Sequence, residues 1–197
     1  MTVIGITGPT GAGKTTALRA LQKRGFEVID CDRLYDSLLV TSDDLREKLR
    51  AAFGEVFLPD GQLDRRALAE RVFGDSKELA KLNAVVFPVI FAAVEEKIAK
   101  STQKGVAIDA INLIECGLGR LCDVTVAITA DPAIRLKRIM ARDSIGEERA
   151  KARIAAQKPD KFYRKNCSFL LENRAGSDRE FERLMGEFLD DILFMEE

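Results

Sequence analysis

The sequence contains no histidine, and this absence excludes several classes of chemistry. Without imidazole there is no Ser-His or Cys-His nucleophile pair, no histidine metal ligand and no histidine acid or base. The four cysteines include no C-x-x-C pair, which favours reduced thiols in a cytosolic protein over a disulfide framework. Any reaction carried out by this chain must therefore use other side chains.

The chain also has a net charge of only −1 and no long hydrophobic run. Its 31 Lys and Arg balance 32 Asp and Glu, so no overall basic field indicates a nucleic-acid or membrane surface. The start of the chain lacks the basic region of a signal peptide, and no apolar stretch reaches the roughly 20 residues that span a bilayer. We therefore expect a cytoplasmic protein that binds neither nucleic acid nor membrane. Nothing in the sequence fixes its oligomeric state, for which we expect a monomer or weak oligomer.

The order of elements predicts an α/β fold. Residues 2–7 are a β-branched run that enters a glycine-rich turn, and an amphipathic helix follows. Strand, glycine loop, helix and strand are the opening of a βαβ unit, which places the loop at the carboxyl edge of the sheet. The predicted strands are 2–7, 26–29, 105–109, 123–129 and a short fifth at 168–171, and the predicted flanking helices are 14–24, one starting at Asp131-Pro132, and one from Ser177 to about Met195.

The segment from Arg33 to about Lys100 is helical in pattern and too long for one crossover helix. Ser42, Asp64 and Asp75 are residue types that begin helices. We expect one domain over residues 1–197, with a core of about 1–32, 104–134 and 166–197. A helical substrate-binding lobe then covers about 33–103 and a basic lid about 135–165.

Residues 8–15, GPTGAGKT, match the phosphate-loop motif G-x-x-x-x-G-K-[ST] between a strand and a helix. Glycines let the backbone N–H groups approach a phosphate, and the helix adds its positive N-terminal end. Lys14 supplies a charge for the β- and γ-phosphates, and the Thr15 hydroxyl is a ligand suited to Mg²⁺. The predicted ATP-binding residues are Thr10, Gly11, Ala12, Gly13, Lys14, Thr15 and Thr16, together with Arg138 and Arg142.

Three carboxylates follow strands at the same predicted edge. Asp30 and Asp32 come after the second strand, where a carboxylate can orient an acceptor hydroxyl and take its proton. We assign Asp32 the role of base and Asp30 a supporting role, with capping of the next helix as the alternative for one of them. Asp109 ends the third strand, where an acid can contact Mg²⁺, its waters or the acceptor, or simply begin a loop.

The near-zero total charge conceals a basic segment. Residues 135–165 hold eleven Lys and Arg against four Asp and Glu, a net charge of +7, and the remainder of the chain carries −8. Arg138 and Arg142 are spaced i,i+4 and share one helix face, so both are candidates for contacting a polyphosphate. A solvated, charge-rich helix is the alternative.

These residues resemble the dephospho-coenzyme A kinase family over nearly the whole chain. The similar segments are GPTGAGKTT (8–16), VIDCD (28–32), LDRRALAERVF (63–73), RIMARD (138–143), RIAAQ (153–157) and Asn173. The resemblance implies a P-loop NTPase fold with a five-stranded, mostly parallel sheet. It further implies Asp32 as the base for the ribose 3′-hydroxyl and Arg142 in a lid over ATP, with Mg²⁺ as cofactor and ATP and dephospho-CoA as substrates.

The chain departs from the family pattern on the acceptor side. Phe87-Pro88 stands where the family shows His-Pro, and DAINLIE (109–115) stands where it shows D-x-P-L-L-x-E. Another small-molecule or nucleoside kinase of the same fold is one alternative. A nucleotide-dependent switch or binding module is another, although the chain lacks the N-K-x-D motif that reads guanine. Lys14, Asp32 and Arg142 are the predicted catalytic residues.

Overall fold

The computed structural model describes residues 1–72 and 74–194. The chain divides into two compact units, one formed by residues 1–29 and the residues from 101 onward, the other by residues 30–100. Over the described residues the elements in chain order are β1 (Thr2–Thr7), α1 (Lys14–Gln22), β2 (Phe26–Asp30), α2 (Cys31–Thr41), α3 (Asp43–Phe53), α4 (Arg65–Val72), α5 (Ser76–Lys100), β3 (Gly105–Asp109), a 3₁₀ turn (Leu118–Leu121), β4 (Val124–Thr129), α6 (Pro132–Asp143), α7 (Glu147–Ala155), α8 (Asp160–Asn166), β5 (Phe169–Glu172) and α9 (Asp178–Phe194).

The first unit is built on a five-stranded sheet in the order β2-β3-β1-β4-β5. β1 lies at the centre and pairs in parallel with β3 and β4, and β4 pairs in parallel with β5. The β-branched residues of β1, β3 and β4 are almost wholly buried, as expected for parallel strands covered on both faces. The predicted five-stranded α/β fold is confirmed.

Helices α1 and α9 cover one part of this sheet. Leu21 of α1 and Phe181, Met185 and Leu189 of α9 are buried in one hydrophobic cluster with strand residues such as Ile6. Burying each such large side chain contributes about 1.5–3 kcal/mol. This packing fixes α1, and with it the loop that leads from β1 into α1.

The second unit consists of α2 to α5 around its own core, which includes Leu45 and Leu49. The predicted helix starts are confirmed by their caps. The side chains of Ser42, Asp64 and Asp75 accept hydrogen bonds from the N–H groups of Leu45 (3.2 Å), Ala67 (2.9 Å) and Lys77 (2.8 Å), respectively.

The second strand ends one residue later than predicted. β2 runs from Phe26 to Asp30, against the predicted 26–29, and α2 begins at Cys31, so Asp32 lies on the helix and not on the strand. The reason is local, because the Asp30 carboxylate accepts the first N–H groups of α2 and so begins the helix there. Phe73, the last residue of the 63–73 motif, and Met195, the expected end of the last helix, lie outside the described residues.

Within the described residues, the helices are too short or too polar to cross a membrane.

Candidate active site

The phosphate loop, residues 8–15, joins β1 to α1 and requires glycine at several positions. Gly8, Gly11 and Gly13 adopt φ values of 126°, 80° and 111°, a region that side chains disfavour. A Cβ on Gly8 would stand 2.0 Å from the carbonyl oxygen of Ile128, and one on Gly13 would stand 2.5 Å from Nδ2 of Asn173. The backbone at Gly8 and Gly13 therefore lies too close to neighbouring atoms for a residue with a side chain.

Carbonyl groups of the loop accept hydrogen bonds from side chains of the same unit. A peptide carbonyl and the N–H that follows it point in opposite directions. The N–H groups of Gly11 and Gly13 are thus directed away from the donors to the preceding carbonyls, which suits them to an anion. The bonds are Lys14 Nζ to Gly8 O (2.8 Å), Arg135 Nε to Thr10 O (2.9 Å), Arg138 Nη1 to Gly11 O (3.2 Å) and Asn173 Nδ2 to Ala12 O (2.9 Å).

The two threonines after Lys14 have different environments. Thr15 is exposed in the first turn of α1, whereas Thr16 is 3% exposed and its hydroxyl accepts a bond from Nη2 of Arg19 (3.3 Å). An exposed hydroxyl oxygen is a suitable ligand for Mg²⁺, which keeps several waters and binds few protein groups. The described part of the chain has no cluster of three or more acidic or cysteine side chains that could hold a metal ion.

Asp109 lies beside the loop at the end of β3. Its Cα is paired with that of Ile6, two residues before the loop begins, and Ala110 N–H donates to Ile6 O at 3.2 Å. Asp109 is half-buried at the carboxyl edge of the sheet. This is the position expected of an acid that contacts a metal ion or its waters next to bound phosphates.

Arg138 and Arg142 share a helix but have different partners. Arg138 contacts the loop, as described above. Arg142 forms a bidentate pair with Asp143 (2.7 and 3.0 Å), and Arg153 of α7 pairs with the same carboxylate. The hydrogen bonds between Arg142 and Asp143 lower the pKa of Asp143 and raise the pKa of Arg142. The structure thus places Arg138 on the loop carbonyls and Arg142 in an ion pair.

Three residues that support the loop were not singled out as site residues from the sequence: Arg135, Gln157 and Asn173. Arg135 is 5% exposed and Asn173 1%, so both of these polar side chains are buried. Burial lowers the pKa of Arg135, although a guanidinium stays charged in proteins. The only sequence signal was that Gln157 and Asn173 belong to the family-like segments.

In the second unit, Asp30 and Asp32 have separate roles in the backbone. The Asp30 carboxylate accepts from the N–H groups of Asp32 and Arg33, both at 3.0 Å, and lies 3.4 Å from Nε of Arg33. Asp32 is exposed in the first turn of α2. Asp30 therefore caps helix α2, which is the alternative role that the sequence analysis allowed for one of these two residues.

Comparison with known proteins decides between the kinases that this geometry allows. The model of the dephospho-CoA kinase family matches residues 2–179. The chain belongs to that family. It is similar to the dephospho-CoA kinase of Geobacter sulfurreducens (34% identity, 95% of this chain and 96% of the relative) and to that of Anaeromyxobacter dehalogenans (36% identity, 88% and 84%).

Solved structures confirm the P-loop kinase fold. A Thermus thermophilus protein of known crystal structure is 32% identical, covers 96% of this chain and 97% of its own, and has a TM-score of 0.79. A shikimate kinase from Bacteroides thetaiotaomicron has a TM-score of 0.61 over 98% of both chains at 15% identity, which shows the fold alone. Membership of the dephospho-CoA kinase family makes the chain an ATP-dependent kinase, a nucleotide-binding transferase of coenzyme A biosynthesis.

Proposed function

We propose that this chain transfers the γ-phosphoryl group of ATP to the ribose 3′-hydroxyl of dephospho-CoA, giving coenzyme A and ADP. The observation that carries the proposal is the phosphate loop with its supported carbonyls, in a chain that matches the family model over residues 2–179. The acceptor follows from the family, and the way in which ATP is held follows from the geometry.

The loop binds the phosphates of ATP through its backbone N–H groups, and Lys14 adds a positive charge. The Lys14 ammonium lies 2.8 Å from the Gly8 carbonyl and can turn to the β- and γ-phosphates when they bind. Thr15 and the waters near Asp109 would hold Mg²⁺, which neutralises charge on the β- and γ-phosphate oxygens when bound. Positioning and charge stabilisation carry most of the catalysis in phosphoryl transfer.

Asp32 is the base that orients the 3′-hydroxyl and accepts its proton. The Asp30 cap holds the first turn of α2, on which Asp32 is exposed to an acceptor. A positioned carboxylate contributes about 10²–10⁴ in rate. Residues 33–103 supply the acceptor-binding lobe, with Asp30 and Asp109 as supporting groups.

The lid is residues 135–165, and Arg142 is its catalytic arginine. The transferring phosphoryl group offers Arg142 a more concentrated negative charge than its present partner, Asp143. An arginine on that group contributes about 10³–10⁵ to turnover in related enzymes. The enzyme acts in the cytoplasm as a monomer or weak oligomer, with no nucleic-acid or membrane partner.

Acceptor profiling tests this function. We expect the rate of ADP formation from ATP to be high with dephospho-CoA and near background with adenosine, simple sugars or shikimate. A higher kcat/KM for any of those acceptors than for dephospho-CoA would assign the chain to another small-molecule kinase. A rate of ADP formation that is the same with and without each acceptor would instead favour a nucleotide switch.

A further inference from the structure

The side chain of Gln157, which follows helix α7, contacts the phosphate loop at Thr10. Its Oε1 accepts from the N–H of Thr10 (3.1 Å) and from Nη2 of Arg135 (2.6 Å). Its Nε2 donates to Oγ1 of Thr10 (2.9 Å), and Nε of Arg135 donates to the Thr10 carbonyl (2.9 Å). Two side chains from the basic segment therefore bind the N–H, the carbonyl and the hydroxyl of one loop residue.

The orientation of the Gln157 amide is determined by its partners. Rotating the amide by 180° would turn its NH₂ group toward two donors, the Thr10 N–H and the Arg135 guanidinium. Arg135 is 5% exposed, so depriving its Nη2 of the Gln157 acceptor would cost more than losing a surface hydrogen bond. The three residues thus form a network with one favourable arrangement.

This network acts on a turn of the loop in which the backbone itself supplies one bond, from the Ala12 N–H to the Pro9 carbonyl (3.3 Å). Thr10 precedes Gly11, whose φ is 80°, and a glycine has many alternative conformations. The direction of the Thr10 carbonyl sets the opposite direction of the Gly11 N–H. Contacts from outside the loop therefore add to what holds that N–H toward an anion before one binds.

We propose that Gln157 is a positioning residue that, with Arg135, holds the phosphate loop in its anion-binding conformation in the absence of ATP. The inference rests on the proposed function only in taking ATP as the natural ligand. Gln157 touches Thr10 and not the reacting atoms, so it acts through the loop. When only a fraction of molecules has the competent loop, the apparent Kd of the ligand rises by the reciprocal of that fraction.

Replacing Gln157 with methionine tests the proposal, because methionine has similar length and no hydrogen-bonding amide. We expect Gln157→Met to raise the Kd of ATP, of ADP and of inorganic tripolyphosphate by a common factor of about tenfold, since all three bind through the same loop. We expect kcat at saturating ATP to stay within about threefold of the native value, because bound ATP restores the loop. The Kd of dephospho-CoA should not change.

The matched control is Gln103→Met, since Gln103 is exposed and outside the network. Titration calorimetry gives the three Kd values, and thermal unfolding without ligand gives the stability of each variant. A Kd of tripolyphosphate within twofold of the native value in folded Gln157→Met would overturn the proposal. A fall in kcat with unchanged Kd values would also overturn it, because it would place Gln157 in the chemical step.

A second variant keeps the test valid if Gln157→Met does not fold. Thr10→Val removes only the hydroxyl that accepts from Gln157 Nε2, and we expect it to raise the Kd of tripolyphosphate about threefold. An unchanged Kd in folded Thr10→Val would then contradict the proposal. These measurements need no acceptor, so they stand apart from the proposed function, which fails if the native protein does not phosphorylate dephospho-CoA.

Discussion

The phosphate loop and the turn at Asp30 each follow a strand, but they are held in different ways. The carbonyls of Thr10, Gly11 and Ala12 are bound by side chains more than 120 residues further along the chain. The turn into α2 is held within three residues, because Asp30 accepts from the N–H groups of Asp32 and Arg33. One region is built by tertiary contacts and the other by local sequence.

This difference indicates how each region should respond to substitution. Removing a distant donor such as Asn173 should change the loop and therefore ATP binding, because the donor helps to set the direction of a loop carbonyl. Substituting the exposed Asp32 leaves the carboxylate of the Asp30 cap in place and should act chiefly on the chemistry at the acceptor.

The largest expected effect is that of Asp32→Asn. It keeps the size of the side chain and removes its charge, so we expect kcat to fall about 10²–10⁴-fold. The Kd of ATP should stay near the native value, because the loop is held by other residues. Steady-state kinetics and ATP titration measure the two quantities.

The matched control for Asp32→Asn is Asp43→Asn, another exposed acid in the first turn of a helix. We expect this control to leave kcat unchanged. A kcat for Asp32→Asn within threefold of the native value would remove Asp32 from the role of base.

Asn173→Leu should have the next largest effect, on stability as well as on ATP binding. Asn173 is 1% exposed, donates to the Ala12 carbonyl and accepts from Ala175 N–H (3.2 Å). Leaving these buried groups unpaired should lower the free energy of unfolding by about 1–3 kcal/mol. Chemical denaturation measures this loss, and the exposed Asn166→Leu is the control. Equal stabilities for the two variants would show that the Asn173 contacts do not hold the loop.

The smallest effect is expected for Asp143→Asn, which breaks the ion pairs of Arg142 and Arg153. The pKa of Asp143 is lowered in the folded state, mainly by its hydrogen bonds to Arg142. Its contribution to stability is therefore present above the ordinary Asp pKa of 3.8 and is lost as pH falls through the lowered value.

The free energy of unfolding of Asp143→Asn should thus approach that of the native protein as the pH falls below this range. At neutral pH, Asp143→Asn should lower the free energy of unfolding by less than Asn173→Leu does, because ion pairs near the surface contribute little. If Asp143→Asn lowered the free energy of unfolding at neutral pH by more than Asn173→Leu does, the predicted order of the two variants would be wrong.

Local signals in the sequence predict most of the fold and the centre of the site. The strand of residues 2–7, the motif GPTGAGKT and the caps at Ser42, Asp64 and Asp75 all depend on neighbouring residues, and the structure confirms the elements they predict. β2 ends at Asp30, one residue beyond its predicted end, because the capping bonds of Asp30 begin α2 there.

The residues that support the loop could not be predicted in the same way. The sequence does not distinguish Arg135 from the other cations of the basic segment, whereas in the structure it is buried and contacts Thr10. Gln157 has no local pattern that relates it to the loop, and only the tertiary structure brings the two together. For the same reason the spacing of Arg138 and Arg142 indicated a shared face but not the partner of each.

The central claim is that the supported loop delivers the γ-phosphoryl group of ATP to the 3′-hydroxyl of dephospho-CoA. Incubating the native protein with ATP labelled in the γ-phosphoryl group, with and without dephospho-CoA, tests it most directly. We expect the label to appear as a 3′-phosphate on coenzyme A, in equal amount to the ADP formed, with little ADP when the acceptor is left out. Label released as inorganic phosphate at the same rate with or without acceptor would contradict the account.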